Sequence, residues 1–360
     1  MQPKSTLPSL KYILIPILCW IVFFIKHTYH FSWLNVLAVP ALLMCTLQAV
    51  HHAEVIAHRV GEPFGTLVLA LAVTIIEVSL IISMMMASGP DGSALARDTV
   101  FAAIMIIITG MIGISLLSGG IRHREQSFGM QGVTTYLITL LAVSVLTLIL
   151  PNYTTTIPGP YYSVKQLVFV AIVSLLLYAS FIFVQNFKHK DLFVDEVATE
   201  EEDTEPKPSK KEAIWSFVLL FVCLGAVIML AESLAPDLED LIDRWNAPHS
   251  LVGIIIAIVV LLPEGLSAFK AASGNKLQKS LNLSLGSALA SICLSIPTVT
   301  FFSIVYDLPL TLGIDARSSV IFLLAMLVLM LSFRTGKTII LQGIVLLLIF
   351  FTYIFMTIFP

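Results

Sequence analysis

Long apolar stretches, separated by short polar segments, recur along the whole chain. A helix needs about 20 apolar residues, at 1.5 Å rise each, to cross a bilayer core of about 30 Å. Cutting the sequence at charges and turn residues leaves these predicted spans: 12–25, 31–50, 64–87, 99–119, 131–151, 164–184, 214–235, 250–270, 281–304, 316–333 and 338–359. The pattern therefore predicts an all-α polytopic membrane protein of about 11 transmembrane helices.

Composition agrees with this interpretation. Of 360 residues, 58% are hydrophobic and 12% charged, against about 25% charged in an ordinary globular domain. Such a chain cannot cover a water-facing surface, so the lipid bilayer is its expected environment. The net charge of −3 gives no basic surface for nucleic acid. The four cysteines lie in apolar runs and are interpreted as small core residues.

The distribution of lysine and arginine predicts the orientation. With the N-terminus inside, fifteen of the twenty basic residues fall in inner segments, as expected for cytoplasmic loops. This predicts a cytoplasmic N-terminus and an external C-terminus. No small-x-small cleavage site follows the first span, only the polar segment that contains Lys26, so we expect a retained helix rather than a signal peptide.

A strongly acidic segment divides the chain. Residues 186–213 include a nearly continuous acidic run from Asp195 to Glu205, which cannot bury enough apolar surface to order itself. We interpret 186–213 as a cytoplasmic tether, with a divalent-cation sensor as the alternative. It separates an N-terminal helix (1–30) and five spans (31–185) from another five spans (214–360).

Because five is an odd number, two consecutive groups of five spans must enter the membrane from opposite sides. Many secondary transporters are built from such inverted-topology repeats. A faint similarity between the halves supports this arrangement. Ala72-Val-Thr-Ile-Ile-Glu77 in the first half corresponds to Val259-Val-Leu-Leu-Pro-Glu264 in the second. The predicted fold is therefore a lone N-terminal helix followed by two inverted five-helix repeats.

Of 23 acidic residues, only Glu77, Glu232 and Glu264 fall inside predicted spans. An ionisable group in lipid is costly and marks a functional pathway by default. Glu77 and Glu264 are the fourteenth and fifteenth residues of equivalent spans, so we expect both near the midplane. Glu232 lies near the outer end of its span and is interpreted equally as a boundary residue or as part of an acidic outer vestibule.

Two carboxylates at one depth predict competition between protons and metal ions. In a low dielectric, a carboxylate is either protonated or neutralised by a cation, and its oxygens suit hard cations such as Ca²⁺, Na⁺ and K⁺. Pro263 has no N–H, which frees the carbonyl of Val259. Further candidate ligands are Thr74, Ser267 and Ser287, with Ser284 and Ser291 on the same helical face as secondary candidates.

Several strings resemble one family. Gly119-Gly-Ile-Arg-His-Arg-Glu-Gln126, Leu285-Gly-Ser-Ala288, the intramembrane glutamates and the acidic linker are together similar to the cation/proton exchanger branch of the calcium/cation antiporter superfamily. The resemblance implies an extra first helix followed by two five-helix repeats in a bacterial inner membrane. It also implies that Glu77 and Glu264 bind the transported cation.

The chain departs from the family pattern Gly-Asn-x-x-Glu at both glutamates. Thr74 replaces one amide and Leu261 removes the other, while Gly265 stands where a histidine often follows. Fewer fixed amide oxygens should discriminate less sharply between cations. The departures therefore predict broad antiport of Ca²⁺, Na⁺ and K⁺ rather than strict Ca²⁺ selectivity.

We therefore predict a secondary transporter that exports Ca²⁺, Na⁺ and K⁺ in exchange for H⁺ by alternating access, with no cofactor. A passive cation channel and a monovalent-only antiporter are the alternatives. An enzyme is disfavoured, because every histidine falls in a predicted loop and no aspartate falls in a span. His51, His52 and His58 are expected in a solvated cytoplasmic segment rather than in a metal site. The oligomeric state is left open.

Overall fold

The computed structural model describes residues 10–29, 32–61, 64–193, 208–245, 248 and 250–359. These ranges contain α-helices and one pair of short strands. The helices are α1 (Leu10–Tyr29), α2 (Asn35–Val60), α3 (Phe64–Ser88), α4 (Leu95–Met105), α5 (Ile112–His123), α6 (Met130–Ser144), α7 (Val164–Phe183), α8 (Lys210–Arg244), α9 (Ser250–Ser273), α10 (Leu277–Val305), α11 (Ala316–Ser332) and α12 (Ile340–Ile358). The strands are β1 (Glu125–Ser127) and β2 (Lys337–Ile339).

Eight helical segments of the described ranges are long and apolar enough to cross a membrane: Asn35–Val60, Gly92–His123, Met130–Tyr153, Val164–Lys188, Lys210–Leu234, Ser250–Ser273, Leu277–Val305 and Ile340–Ile358. Shorter apolar helices occupy Leu14–Tyr29, Leu71–Met86 and Ala316–Ser332. Each predicted span coincides with one of these segments. The protein is thus a helical, multi-pass membrane protein, while the count of eleven spans and the repeat arrangement stay predictions.

The chain forms two compact units. The first comprises Met1–Ala87 with Glu205–Asn246, and in it α1, α2 and α8 pack on one another. Small buried residues line these contacts, among them Cys45 and Ala49 of α2 and Cys223 of α8. Without a hydrophobic driving force in lipid, close approach of helices depends on such small residues.

The second unit comprises Ser88–Thr204 with Ala247–Pro360. At its centre lies the α4–α5 segment, against which α9, α10 and α12 all pack. In the most apolar window of Gly92–His123, 89% is buried, against 28% in Val164–Lys188 and 22% in Ile340–Ile358. The α4–α5 segment is therefore a core helix, whereas α7 and α12 present apolar surface suited to lipid.

Polar contacts join loops at both ends of the second unit. At one end β1 pairs antiparallel with β2, Gln126 opposite Thr338. At the other end Arg97 donates to Gly313 O at 3.0 Å and Asn152 to Ile314 O at 2.6 Å. Counting predicted spans assigns the loops joined at each end to the same side of the bilayer.

The structure corrects two assignments near the first unit's helix ends. His51, His52 and His58 lie on α2 rather than in a loop, because α2 continues to Val60 and ends only at Gly61, whose φ is 76°. Lys26, expected in an outer loop, lies on α1 and is buried. In both cases nothing in the local sequence breaks the helix where the polar residues begin.

The acidic linker is narrower than predicted at its start. Phe193 is buried, and its ring packs against Tyr136 and Phe181, so the chain is still part of the second unit there. On the far side, Ser209 and Glu212 cap α8 through reciprocal bonds of 2.7 and 3.2 Å. The acidic run from Asp195 to Glu205 lies outside the described residues.

Candidate functional site

Glu264 lies in the middle of α9. It is the fifteenth residue from Ser250, about 21 Å along the helix, and only 5% of it is exposed. Pro263 is inside the same helix, so the carbonyl of Val259 lacks its helical donor. Val259 and Ser267 are half-buried. The Val259 carbonyl and the Ser267 hydroxyl therefore lie about one helical turn before and after the buried Glu264 carboxylate.

A π-helical turn lies beside this part of α9. It covers Ile106–Met111, between α4 and α5, and all of its residues are buried. A Cβ placed on Gly265 would lie 3.6 Å from the Met111 side chain, so the turn faces the residue next to Glu264. Such turns occur frequently at functional sites. Sequence reasoning missed it, although Thr109-Gly110 inside an unbroken isoleucine-rich run was a visible signal.

The serine face predicted on α10 is longer than expected. Ser284 and Ser291 are buried and Ser287 is half-buried. Ser280 and Ser295, also buried, extend the same face at intervals of four residues. The hydroxyls of Ser280, Ser284 and Ser295 have no hydrogen-bond partner within the described ranges. Since α10 packs against α9, this face and Glu264 belong to one group of packed helices.

Glu77 has the corresponding position on α3. It is the fourteenth residue from Phe64, about 20 Å along the helix, and 3% exposed. Thr74 is buried one turn earlier on the same face. Glu77 and Thr74 belong to the first unit and Glu264 to the second, and their sharing of one cation remains a prediction.

The acidic C-terminal end of α8 is partly neutralised within the protein. Lys26 forms an ion pair with Asp237 and also donates to Asn35 Oδ1 at 2.6 Å. Asp237 therefore already holds a cationic group, whereas Glu232 is exposed. Throughout the described ranges, no three His, Cys, Asp or Glu side chains are grouped to hold a metal.

Apolar helices of membrane-spanning length that bury carboxylates at mid-helix define a multi-pass ion transporter. The family described as sodium/calcium exchanger protein matches residues 30–187 and 215–359. The chain belongs to this family, whose members are exchangers rather than classical enzymes.

Two curated relatives match over most of their length. The putative ionic transporter y4hA of Sinorhizobium fredii is 42% identical over 316 residues, covering 87% of this chain and 85% of the relative. The sodium-potassium/proton antiporter ChaA of Escherichia coli is 38% identical over 329 residues, covering 91% of this chain and 88% of the relative. The resemblance inferred from the motifs is thus confirmed.

Solved structures show the same fold. The native YfkE structure aligns with a TM-score of 0.73 and 18% identity, covering 97% of this chain and all of that one. The H⁺/Ca²⁺ exchanger CAX aligns with a TM-score of 0.68 and 14% identity, covering 96% of this chain and 89% of that one. At these identities the likeness concerns the fold alone.

Proposed function

We propose that the protein is a secondary active antiporter that exports Ca²⁺, Na⁺ and K⁺ from the cytoplasm in exchange for H⁺. The observation that carries this proposal is the burial of two glutamates at mid-helix, Glu77 and Glu264, each at most 5% exposed. Membership of an exchanger family supports it, as does the name of the Escherichia coli relative, a sodium-potassium/proton antiporter.

The chemistry of exchange follows from the environment of the glutamates. A carboxylate removed from water is neutral when it carries a proton or binds a cation, so the two compete for the same oxygens. Hydroxyl and carbonyl oxygens complete the coordination of hard cations. We assign this role to Thr74, Ser267, Ser287 and the carbonyl of Val259, with Glu232, Ser284 and Ser291 as secondary candidates.

The unpaired serine hydroxyls of α10 support a hydrated path. A buried hydroxyl without a partner is unfavourable, yet three lie on one face of the helix. In an antiporter, water or the passing cation supplies the missing partner when this face opens.

Alternating access requires each side to open in turn. We infer that protons from outside neutralise Glu77 and Glu264 and release the cation outward, and that cytoplasmic cation then displaces the protons inward. Two features support the underlying topology. Hydrogen bonds join loops assigned to the same side, and the family matches two segments that flank 188–214. Both agree with the predicted number of spans between these segments. The cytoplasmic N-terminus, the external C-terminus and the bacterial inner membrane are part of the proposal and rest on the distribution of basic residues and on the resemblance to bacterial antiporters.

A monovalent-only antiporter is the second candidate. Thr74 and Leu261 stand where the family pattern has amide ligands, and fewer fixed oxygens suit less demanding ions. The name of the Escherichia coli relative mentions sodium and potassium but not calcium. In contrast, the Bacillus subtilis relative, 24% identical over 232 residues, is named a Ca²⁺/H⁺ antiporter.

The test is cation-dependent dissipation of a pH gradient in inverted membrane vesicles, with Ca²⁺, Na⁺ and K⁺ side by side. Glu77→Gln and Glu264→Gln should each fall below about a tenth of the parent rate, the effect of losing some 1.4 kcal/mol. Asp191→Asn, which removes a carboxylate at an exposed position outside the assigned site, is the matched control. If either glutamate variant exchanges every cation at the parent rate, the assignment of the cation site is wrong. Cation flux without proton movement would identify a channel instead.

A further inference from the structure

The string Gly119-Gly-Ile-Arg-His-Arg-Glu-Gln126 contributes nothing to the proposed cation site, yet it ends in a buried polar residue. Gln126 is 3% exposed, while its strand neighbours Glu125 and Ser127 point outward. Alternation along β1 therefore turns the Gln126 amide into the protein.

Gln126 holds the last residues of the helix that carries Glu264. Its Nε2 donates to Ala272 O at 2.9 Å and to Asn275 Oδ1 at 3.0 Å. With both N–H groups used, the amide oxygen points towards Gly119, where an added Cβ would lie only 1.7 Å from it. That oxygen is buried and has no hydrogen-bond partner among the described residues.

The orientation of the Gln126 amide thus uses both of its N–H groups and leaves its oxygen without a partner among the described residues. An unpaired buried acceptor lowers stability, and the two bonds that the amide donates offset this cost. Gly119 is required for the same arrangement, because any side chain there would displace the amide.

Two further bonds reach the same turn. His123 Nε2 donates to Ser273 O at 3.0 Å, and the hydroxyls of Ser118 and Ser273 are 2.7 Å apart. Arg124, with φ of 63°, ends α5 in the left-handed region, where a non-glycine residue is strained. This reversal brings β1 back beneath the end of α9.

The start of α10 is held from the same side. The backbone N–H of Gly129 donates to Gln278 Oε1 at 2.7 Å, and Gln278 donates to Asn282 at 2.8 Å. The turn between α9 and α10 contains Asn275 in the left-handed region, with φ of 62°. Residues 118–129 therefore form hydrogen bonds with the end of α9 and with the start of α10, on either side of a strained turn.

We propose that Ser118, His123 and Gln126 form a clasp that fixes the inner end of α9 and thereby positions Glu264 for cation binding. Ala272, whose carbonyl the clasp holds, lies eight residues beyond Glu264, about 12 Å along the helix. Gln126 is a positioning residue, since it acts through the helix and not on the cation. This inference rests on the proposed function for the role of Glu264.

The first variant is Gln126→Met, which keeps length and bulk but removes both donors. In inverted vesicles, where the face assigned to the cytoplasm is accessible, the KM for cation should rise about fivefold. This is less than the full effect of losing two buried hydrogen bonds, because the bonds act on Glu264 only through the helix. The maximal rate should change much less. Ser127→Ala, on the outward side of the same strand, is the matched control and should keep the parent KM.

Gly119→Ala tests the geometry from the opposite side. Its Cβ should expel the Gln126 amide and reproduce the raised KM. Gly119→Ala/Gln126→Ala restores the space without restoring the hydrogen bonds, so it should behave like Gln126→Ala alone. If the double variant instead recovers the parent KM, packing and not the hydrogen bonds matters, and the clasp is wrong. His123→Ala, at an exposed position, gives a milder variant should the buried changes prevent folding.

Hydrogen exchange in the purified full chain provides a readout independent of transport. The amides of Gly274, Asn275 and Lys276 all donate to carbonyls of α9, so their exchange reports opening of the turn. We expect faster exchange in Gln126→Met and no change in Ser127→Ala.

The outcomes separate the two proposals. If the parent exchanges cations for protons while Gln126→Met and His123→Ala keep its KM, the clasp has no positioning role and the proposed function stands. If the parent exchanges nothing, the proposed function fails, and unchanged amide exchange would then also refute the clasp as a structural restraint.

Discussion

The ion pair between Lys26 on α1 and Asp237 on α8 gives an asymmetric prediction for stability. The Lys26 side chain is 7% exposed and that of Asp237 32% exposed. Removing the Asp237 carboxylate leaves the buried Lys26 ammonium without its counter-ion. Its remaining acceptor is Asn35 Oδ1, at 2.6 Å. Removing the lysine leaves a carboxylate that still reaches water.

The exposures set the magnitudes. Asp237→Asn should cost about 3–5 kcal/mol, the range for breaking a buried pair from the side that leaves a buried charge. Lys26→Met should cost about 1 kcal/mol, because the surviving carboxylate resembles one partner of a surface pair. Lys26→Met/Asp237→Asn removes both charges and should lie within about 1 kcal/mol of the parent.

Thermal unfolding of the purified protein, followed by tryptophan fluorescence, measures all four forms under one condition. The expected order of stability places the parent and the double variant together, Lys26→Met slightly below and Asp237→Asn far below. A double variant whose loss equals the sum of the two single losses would show that the residues do not interact. Equal losses in the two single variants would refute the argument from exposure.

Two predictions concern other contacts of the second unit. Gly253→Ala should destabilise the protein by about 1–3 kcal/mol, because its Cβ would lie 2.8 Å from the Asp98 backbone. Gly286→Ala should cost less, because its Cβ would lie 3.7 Å from the nearest neighbouring atom. Thermal unfolding of both variants checks this difference. Burial raises the pKa of Tyr162 to about 12, and its hydroxyl donates to Leu146 O at 2.6 Å. Since the unfolded phenol ionises first, near pH 10, this group's contribution is complete below pH 10 and is lost as pH rises towards 12. Tyr162→Phe should therefore lose less thermal stability than the parent between pH 10 and 12, and an equal loss would refute the assignment.

The predicted spans agree with the observed helices because length and apolarity are local properties of the sequence. The errors occur where polar residues continue a helix. α2 extends through His51 and His58, and α8 continues through Pro236 to Arg244. Helix ends depend on capping and on neighbouring helices, and a change from apolar to polar residues does not by itself end a helix.

The candidate site was predictable residue by residue but not as an arrangement. The structure buries Glu77, Glu264 and Thr74, whereas their role in cation binding stays a prediction. The π turn at Ile106–Met111 and the buried Gln126 were not predicted as structural features. Their roles depend on helices that are distant in sequence.

The sequence by itself indicated the lipid environment, the helical class and the presence of two glutamates inside apolar helices, because each follows from which residues are charged and where they interrupt apolar runs. Its motifs indicated the family. Only the tertiary structure decided that Lys26 is buried against Asp237, that four of the five serines on one face of α10 are buried, and that Gln126 donates hydrogen bonds to the end of α9. These depend on contacts between helices up to about 200 residues apart, and a hydrogen bond exists only where packing brings its two atoms to about 3 Å.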